Sequence, residues 1–126
     1  QKFIEIEVTG AVSDDSARKI GLAVANSPLV KTAIAGEDAN WGRVMGALGR
    51  SGVPINPDRV TVRFDKVVMV RQGMGTGLAA ERKIAQVFKQ KEFTISVDLG
   101  QGRAAAHMWT TDLSYDYVRI NASYRS

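Results

Sequence analysis

Apolar and polar positions alternate along the first residues of the chain, which predicts a β-strand that ends near Gly10. Ser13 then precedes Asp14 and Asp15, a combination typical of a helix N-terminus, because the helix dipole favours carboxylates there. Apolar residues recur at helical spacing over residues 17–24. These positions predict a strand followed by an amphipathic helix.

The segments after this helix predict a strand, a loop and a second helix. Pro28 lies just past the predicted end of the helix, and the apolar run Leu29–Ala35 is expected to form a buried strand. The polar loop Gly36–Asn40 follows. Apolar residues at spacings of three and four then predict a second amphipathic helix over Trp41–Leu48. Residues 1–51 are therefore expected to fold as β-α-β-α.

Residues 53–59 are the best candidate for a boundary between two lobes, because they hold two of the three prolines. They separate an α/β sandwich lobe at residues 1–52 from a smaller lobe at residues 53–126. The end of the chain keeps an alternating pattern up to Asn121, so we expect an ordered tail that is tucked into the protein.

The second lobe is rich in predicted strands. Apolar runs on both sides of Asp65-Lys66 predict a hairpin, and glycines at positions 73, 75 and 77 interrupt the chain before a helix at about residues 78–90. Alternation and glycine-rich turns predict three further strands, at residues 93–99, 103–111 and about 115–121. Because these strands follow hairpins rather than crossovers, the lobe is expected to be α+β and largely antiparallel.

The composition is that of an ordinary globular protein, with 44% hydrophobic and 24% charged residues. No apolar stretch is long enough to span a membrane. The absence of cysteine excludes thiolate nucleophiles, iron–sulfur clusters and disulfide scaffolds, and it suits a reducing compartment. The single histidine, His107, excludes any site built on two histidines, and we interpret it as a packed or surface residue of a strand rather than a general base.

The net charge of +4 arises entirely beyond residue 51, where basic and acidic side chains are interspersed. Nucleic-acid binding requires a contiguous basic surface, which this pattern does not favour. The chain begins with Gln1, next to the first predicted strand, and no secretory leader follows. We therefore expect a processed or truncated piece of a longer protein.

A glycine motif, Gly75-x-Gly77-x-x-Ala80, follows a predicted strand and opens a helix, with Asp98 downstream. It imitates the fingerprint in which backbone amides bind a dinucleotide pyrophosphate. However, Asp98 lies on the polar face of an alternating strand, whereas Rossmann strands are apolar on both faces. A flexible loop is the favoured interpretation, and a noncatalytic nucleotide- or RNA-binding module that uses the Gly73–Gly77 loop stays as the alternative function.

The loop Glu37-Asp38-Ala39-Asn40 joins a predicted apolar strand to a helix N-terminus. Loops in this position often carry function, because the scaffold around them is rigid. Equally, Asp38 or Asn40 could cap the helix, with Glu37 as a solvated neighbour. The residues alone leave both interpretations open.

The most distinctive segments of the chain are Ser27-Pro28-Leu29-Val30-Lys31-Thr32-Ala33, Gly36-Glu37-Asp38-Ala39-Asn40-Trp41-Gly42-Arg43, Trp109-Thr110-Thr111-Asp112-Leu113 and Asp116-Tyr117-Val118-Arg119-Ile120-Asn121-Ala122. With them, the sequence resembles the C-terminal part of the β chain in the ornithine acetyltransferase family, the bifunctional N-acetyltransferases of arginine biosynthesis. The resemblance covers essentially the whole chain and is most specific at residues 8–43 and 98–126.

The resemblance implies a precursor that cuts itself before a threonine, which then carries an acetyl group from N-acetylornithine to glutamate in a ping-pong cycle. That threonine and the oxyanion-hole residues are not in this chain, so the chain alone is expected to be inactive. The implied partners are the α chain and the missing N-terminal part of the β chain, in a cytoplasmic heterotetramer of two α and two β chains. The resemblance implies no metal, no nucleic acid and no membrane, and no cofactor except acetyl-CoA as a second acetyl donor in some members.

By the same resemblance, no catalytic residue lies in this chain, and three residues match family positions that contact the amino-acid substrate: Glu37, Asn121 and Ser126. Glu37 would supply a carboxylate for a substrate ammonium group. Asn121 would supply a donor and an acceptor, and Ser126 a hydroxyl. We expect the tail to return to the site, so that the three residues converge.

Overall fold

The computed structural model describes residues 2–112, which form a layer of helices on one face of a mixed β-sheet. In chain order the elements are β1 (Phe3–Ala11), α1 (Asp14–Ala25), α2 (Pro28–Ala35), α3 (Trp41–Gly49), a 3-10 turn (Pro57–Arg59), β2 (Thr61–Phe64), β3 (Val67–Arg71), β4 (Met74–Gly75), α4 (Leu78–Val87), β5 (Glu92–Asp98) and β6 (Ala104–Thr111). The strand predicted at residues 115–121 lies outside the described residues.

The strands form one sheet in the order β4-β3-β2-β5-β1-β6. Strands β1 and β5 pair in parallel, and the other neighbouring strands pair antiparallel. The predicted hairpin around Asp65 is confirmed, as is the largely antiparallel character of the sheet. All the described strands therefore lie in a single sheet.

The description as two separate lobes is not confirmed, because β1 lies between β5 and β6. The strand from residues 1–52 therefore occupies the interior of a sheet whose other strands come from residues 53–126. The expectation that the later strands follow hairpins rather than crossovers is also wrong in part: α4 connects β4 to β5, and β5 does not pair with β6. Because β1 is central, its backbone polar groups are paired with a strand on each side. Its side chains Ile4 and Ile6 are buried in the core.

The segment Leu29–Ala35, predicted as a strand, belongs to the helix α2. Ser27 caps this helix, because its hydroxyl accepts a hydrogen bond of 3.3 Å from the backbone N–H of Val30. Pro28 occupies the first turn, where its missing N–H costs nothing. Leu29 is 50% exposed, which suits the outer face of a helix and not a buried strand. The strand assignment was therefore wrong, and residues 1–51 fold as β-α-α-α.

One hydrophobic core joins the helices to the sheet. At its centre, the ring of Phe64 on β2 lies 5.0 Å from the ring of Phe88, next to α4, and 6.3 Å from the ring of Phe93 on β5. Such edge-on and tilted pairs add to the burial energy of the rings. The core therefore fixes α4 against the sheet, and α4 forms one wall of the site described next.

Candidate substrate-binding site

Backbone hydrogen bonds hold the loop between α2 and α3 at the end of α2. The N–H of Glu37 donates to the carbonyl of Ile34 at 3.0 Å, and the N–H of Asp38 donates to the carbonyl of Ala33 at 2.8 Å. These bonds close the last turn of α2 and leave the Glu37 backbone in the left-handed region, with φ 56°. The end of the helix therefore fixes the backbone from which the Glu37 side chain projects.

The loop also supplies the cap of the next helix. Asn40 accepts a hydrogen bond of 3.1 Å from the N–H of Arg43, which makes Asn40 the N-cap of α3. Asn40 also donates to the carboxylate of Asp38, at 3.4 Å. The capping interpretation is thus confirmed for Asn40. It leaves the Glu37 carboxylate, whose side chain is 43% exposed, without a role in either helix end.

A groove of about 270 Å³ separates this loop from α4, and its lining residues are Glu37, Asp38, Ala39, Leu78, Glu81, Arg82 and Ala85. This volume lies just below the range of about 300–1,000 Å³ that is usual for ligand pockets. Small alanines from both walls leave room between them. The groove can therefore admit a small molecule.

The groove is lined by groups of both charges. The loop contributes the acidic residues Glu37 and Asp38, and α4 contributes the acidic Glu81 and the basic Arg82. Lys89, just beyond the end of α4, places its Nζ 4.0 Å from Oε2 of Glu37. A contact of this length between half-exposed side chains is weak and exchanges readily with another cation. The arrangement suits a small ligand that carries an ammonium and a carboxylate.

Sequence reasoning identified Glu37 but missed the residues of α4 that face it. Leu78, Arg82, Ala85 and Lys89 recur at intervals of three and four, which places them on one side of a helix. That spacing was visible in the sequence. Which element the side faces depends on tertiary packing, which no local pattern shows. The other two predicted site residues, Asn121 and Ser126, lie outside the described residues, so their convergence with Glu37 stays a prediction.

Comparison with known proteins identifies the family of the chain. The model of the ArgJ family matches residues 1–126, the whole chain. The chain belongs to the ArgJ family. The sequence is 52% identical over 125 residues to the arginine biosynthesis bifunctional protein ArgJ of Geobacter sulfurreducens, and the match covers 99% of this chain and 32% of that protein. The corresponding protein of Zymomonas mobilis is 50% identical over 125 residues, with 31% of its length covered.

A solved structure agrees with the family assignment. The crystal structure of the ArgJ protein of Bacillus halodurans superimposes with a TM-score of 0.88 at 42% sequence identity, and the match covers 98% of this chain and 58% of that chain. The resemblance to the acetyltransferases of arginine biosynthesis is thus confirmed at the level of the family. The chain spans about a third of the length of the curated ArgJ relatives that it matches.

His107 lies away from the helix layer of this ArgJ-family chain. It is on β6, its side chain is 66% exposed, and its Nδ1 lies 3.0 Å from Oε2 of Glu5 on β1. The interpretation as a surface strand residue is confirmed. Among residues 2–112, no three histidine, aspartate or glutamate side chains form a cluster that could hold a metal ion.

The glycines of the Gly73–Gly77 loop have structural roles. Gly75 lies in the short strand β4, and its α-carbon packs against the indole of Trp41, so a β-carbon would collide with the ring. Gly73 adopts φ 77° beside the carbonyl of Pro57, where a side chain would also collide. These contacts explain both glycines without a nucleotide and weaken the alternative of a nucleotide- or RNA-binding module.

The described helices are all too short or too polar to cross a membrane. The cytoplasmic location stays a prediction.

Proposed function

We propose that this chain is the part of an N-acetyltransferase that recognises the amino-acid substrate, with the nucleophilic threonine on a part of the protein outside this chain. The complete enzyme would transfer an acetyl group from N-acetylornithine to glutamate. Membership of the ArgJ family supports the reaction class. The observation that carries the proposal is Glu37, whose backbone is held by the end of α2 and whose acidic side chain lines an open groove.

The proposed reaction has two steps. The threonine hydroxyl attacks the acetyl carbonyl of N-acetylornithine, the amide C–N bond breaks and ornithine leaves with a proton on its amine. The amine of glutamate then attacks the acyl-threonine ester, which forms N-acetylglutamate and restores the threonine hydroxyl. Splitting the transfer in this way lets one site serve donor and acceptor in turn.

Glu37 has a binding role in this scheme. N-acetylornithine has one free ammonium group, and a carboxylate is its natural partner in a charge-assisted hydrogen bond. Lys89 already supplies an ammonium group at 4.0 Å from Glu37, which indicates that the carboxylate can accept a cation at this place. Asn121 and Ser126 complete the proposed site with an amide and a hydroxyl.

We also propose the assembly that the family resemblance implies. The partners of this chain would be the α chain and the N-terminal part of the β chain, in a heterotetramer of two α and two β chains. No metal or cofactor would take part, and acetyl-CoA would be a second acetyl donor in enzymes that accept it.

The substitution Glu37→Gln in the complete enzyme tests the proposal, because it keeps the shape of the side chain and removes its charge. Loss of a charge-assisted contact should lower kcat/KM for N-acetylornithine about 10- to 150-fold. Lys83→Met, a charge change on an exposed residue of α4 outside the lining of the groove, is the matched control. Unchanged kinetics together with a lower Tm would show that Glu37 is structural and would overturn the proposal.

A further inference from the structure

The face of the sheet opposite the helices is uncovered in the described structure. Along β1, the side chains of Ile4, Ile6 and Val8 point into the core and are at most 1% exposed. The residues between them point the other way, together with the matching residues of β5 and β6. We call this surface the open face, and its defining residues are Phe3, Glu5, Glu7, Glu92, His107 and Trp109.

Two large aromatic side chains stand on the open face. Phe3 is 54% exposed and Trp109 is 65% exposed. In the β1–β6 register, Phe3 faces Thr111 and Glu5 faces Trp109, so Phe3 and Trp109 are diagonal neighbours with α-carbons about 7–8 Å apart. Neighbouring exposed aromatic residues are unusual on a solvated face and are enriched at protein interfaces.

The aromatic residues are held in place by the backbone. Phe3 donates its N–H to the carbonyl of Lys91 at 2.8 Å, and Lys2 donates its N–H to the carboxylate of Asp112 at 2.8 Å. Hydrogen bonds thus hold the start of β1 to Lys91, just before β5, and to Asp112, just after β6. The exposure of Phe3 is therefore a property of a paired strand and not of a frayed end.

The part of the open face on β1 and at the start of β5 is acidic, and Arg63 lies on the same face farther along the sheet, on β2. Glu5, Glu7 and Glu92 project from the acidic part, and Glu5 contacts His107 at 3.0 Å. Beside these groups, a shallow hollow of about 250 Å³ lies next to Glu7 and Ala105. A complementary partner would present basic groups to the carboxylates and apolar surface to the two aromatic rings.

We propose that the open face is the docking surface for the remainder of the same protein, which presents basic and apolar groups to it. The occupant follows from length: the curated relatives are about three times as long as this chain, although the chain matches them over 99% of its own length. The inference rests on the proposal that the chain is part of such a longer enzyme. It makes Trp109 the central anchor, because a buried tryptophan supplies a large share of interface energy.

Hydroxyl-radical footprinting of the complete protein, read by mass spectrometry, tests the inference. Met74, 64% exposed on the opposite edge strand, is the matched control for Trp109, and the labelling of each is compared with that in the unfolded protein. We expect loss of labelling at Trp109 and Phe3 at every protein concentration. Labelling of Trp109 as fast as in the unfolded protein would show a solvated face and overturn the inference. Protection that disappears on dilution would identify a second copy as the occupant and would also overturn it.

A charge reversal provides a second measurement in the same protein. Glu7→Lys should restore labelling at Trp109 and Phe3, because it places a cation against a basic partner surface. Glu81→Lys on α4 introduces the same charge change away from the open face and is the control, which should leave the protection of Trp109 and Phe3 unchanged. Protection unchanged by Glu7→Lys would contradict the proposed charge complementarity. Footprinting does not depend on turnover, so its failure is distinguishable from the failure of the Glu37→Gln test.

Discussion

Glu37 occupies a backbone position that usually belongs to glycine. Helices often end with glycine in the left-handed conformation, and here Gly36 lies one residue earlier, at φ −85°. Glu37 itself adopts φ 56°. A residue with a β-carbon is strained in this region by about 1–2 kcal/mol. Strain of this kind is concentrated at functional sites, which agrees with a binding role for the Glu37 carboxylate.

Replacement of Glu37 by glycine separates function from stability. Glu37→Gly should leave the Tm of the complete enzyme unchanged or raise it, because glycine adopts positive φ without strain. It should nevertheless lower kcat/KM for N-acetylornithine as much as Glu37→Gln. Thermal unfolding and steady-state kinetics measure the two effects. Gly36→Ala is the control, since φ −85° suits any residue, and a large fall in Tm for Glu37→Gly would contradict a strained binding residue.

Only some residues of this site could be predicted from the sequence pattern. The loop at residues 37–40 was recognisable as a candidate, but its residues left capping and binding equally open, and only the resemblance singled out Glu37. Asn40 proved to be the cap because its side chain meets the N–H of Arg43. Arg82 and Lys89 could not be assigned to the site from the sequence, because their place in it depends on how α4 packs against the sheet.

Helix α2 shows why an element can be misassigned from its residues. The run Leu29–Ala35 is apolar enough for a buried strand, and Pro28 was interpreted as the residue that follows α1. In the structure, Ser27 and Pro28 begin a new helix, and the spacing of Val30, Ala33 and Ile34 places these three on its buried side. A short apolar run is ambiguous between helix and strand, and here the N-cap decides. By contrast, the long periodic pattern of α1 was predicted correctly.

The cap of α2 can be tested by one substitution. Ser27→Ala should lower the free energy of unfolding by about 1 kcal/mol, because a buried N-cap hydroxyl is lost. Chemical unfolding of the complete enzyme measures the change. Ser16→Ala, at a serine within helix α1 that caps no helix, is the matched control and should have little effect. Equal effects of the two substitutions would contradict the role of Ser27 as a helix cap.

At the scale of the whole molecule, one parallel pair of strands joins the two ends of the described chain. Phe3 faces Glu92 and Thr9 faces Asp98, so β1 and β5 are aligned along most of their length. Nothing in the local pattern predicts this pairing, because it links residues about ninety positions apart. The sequence therefore suggested two lobes, whereas a contact between distant strands produces one sheet.

The isolated chain should be inactive. If the nucleophilic threonine lies elsewhere in the protein, the 126-residue chain cannot form an acyl intermediate. We expect no acetyl transfer from N-acetylornithine to glutamate by the purified chain, and transfer when the complete enzyme is assayed under the same conditions. Chromatographic detection of N-acetylglutamate provides the measurement. Turnover by the chain alone would contradict the proposal that the nucleophilic threonine lies outside this chain.

The central claim is that Glu37 binds the ammonium group of the substrate, and a crystal structure of the complete enzyme with ornithine tests it most directly. We predict an ammonium nitrogen within hydrogen-bonding distance of the Glu37 carboxylate, at about 2.7–3.2 Å. Asn121 and Ser126 should contact the same molecule. Ornithine bound with both ammonium groups away from Glu37, or outside the groove between the α2–α3 loop and α4, would contradict the claim.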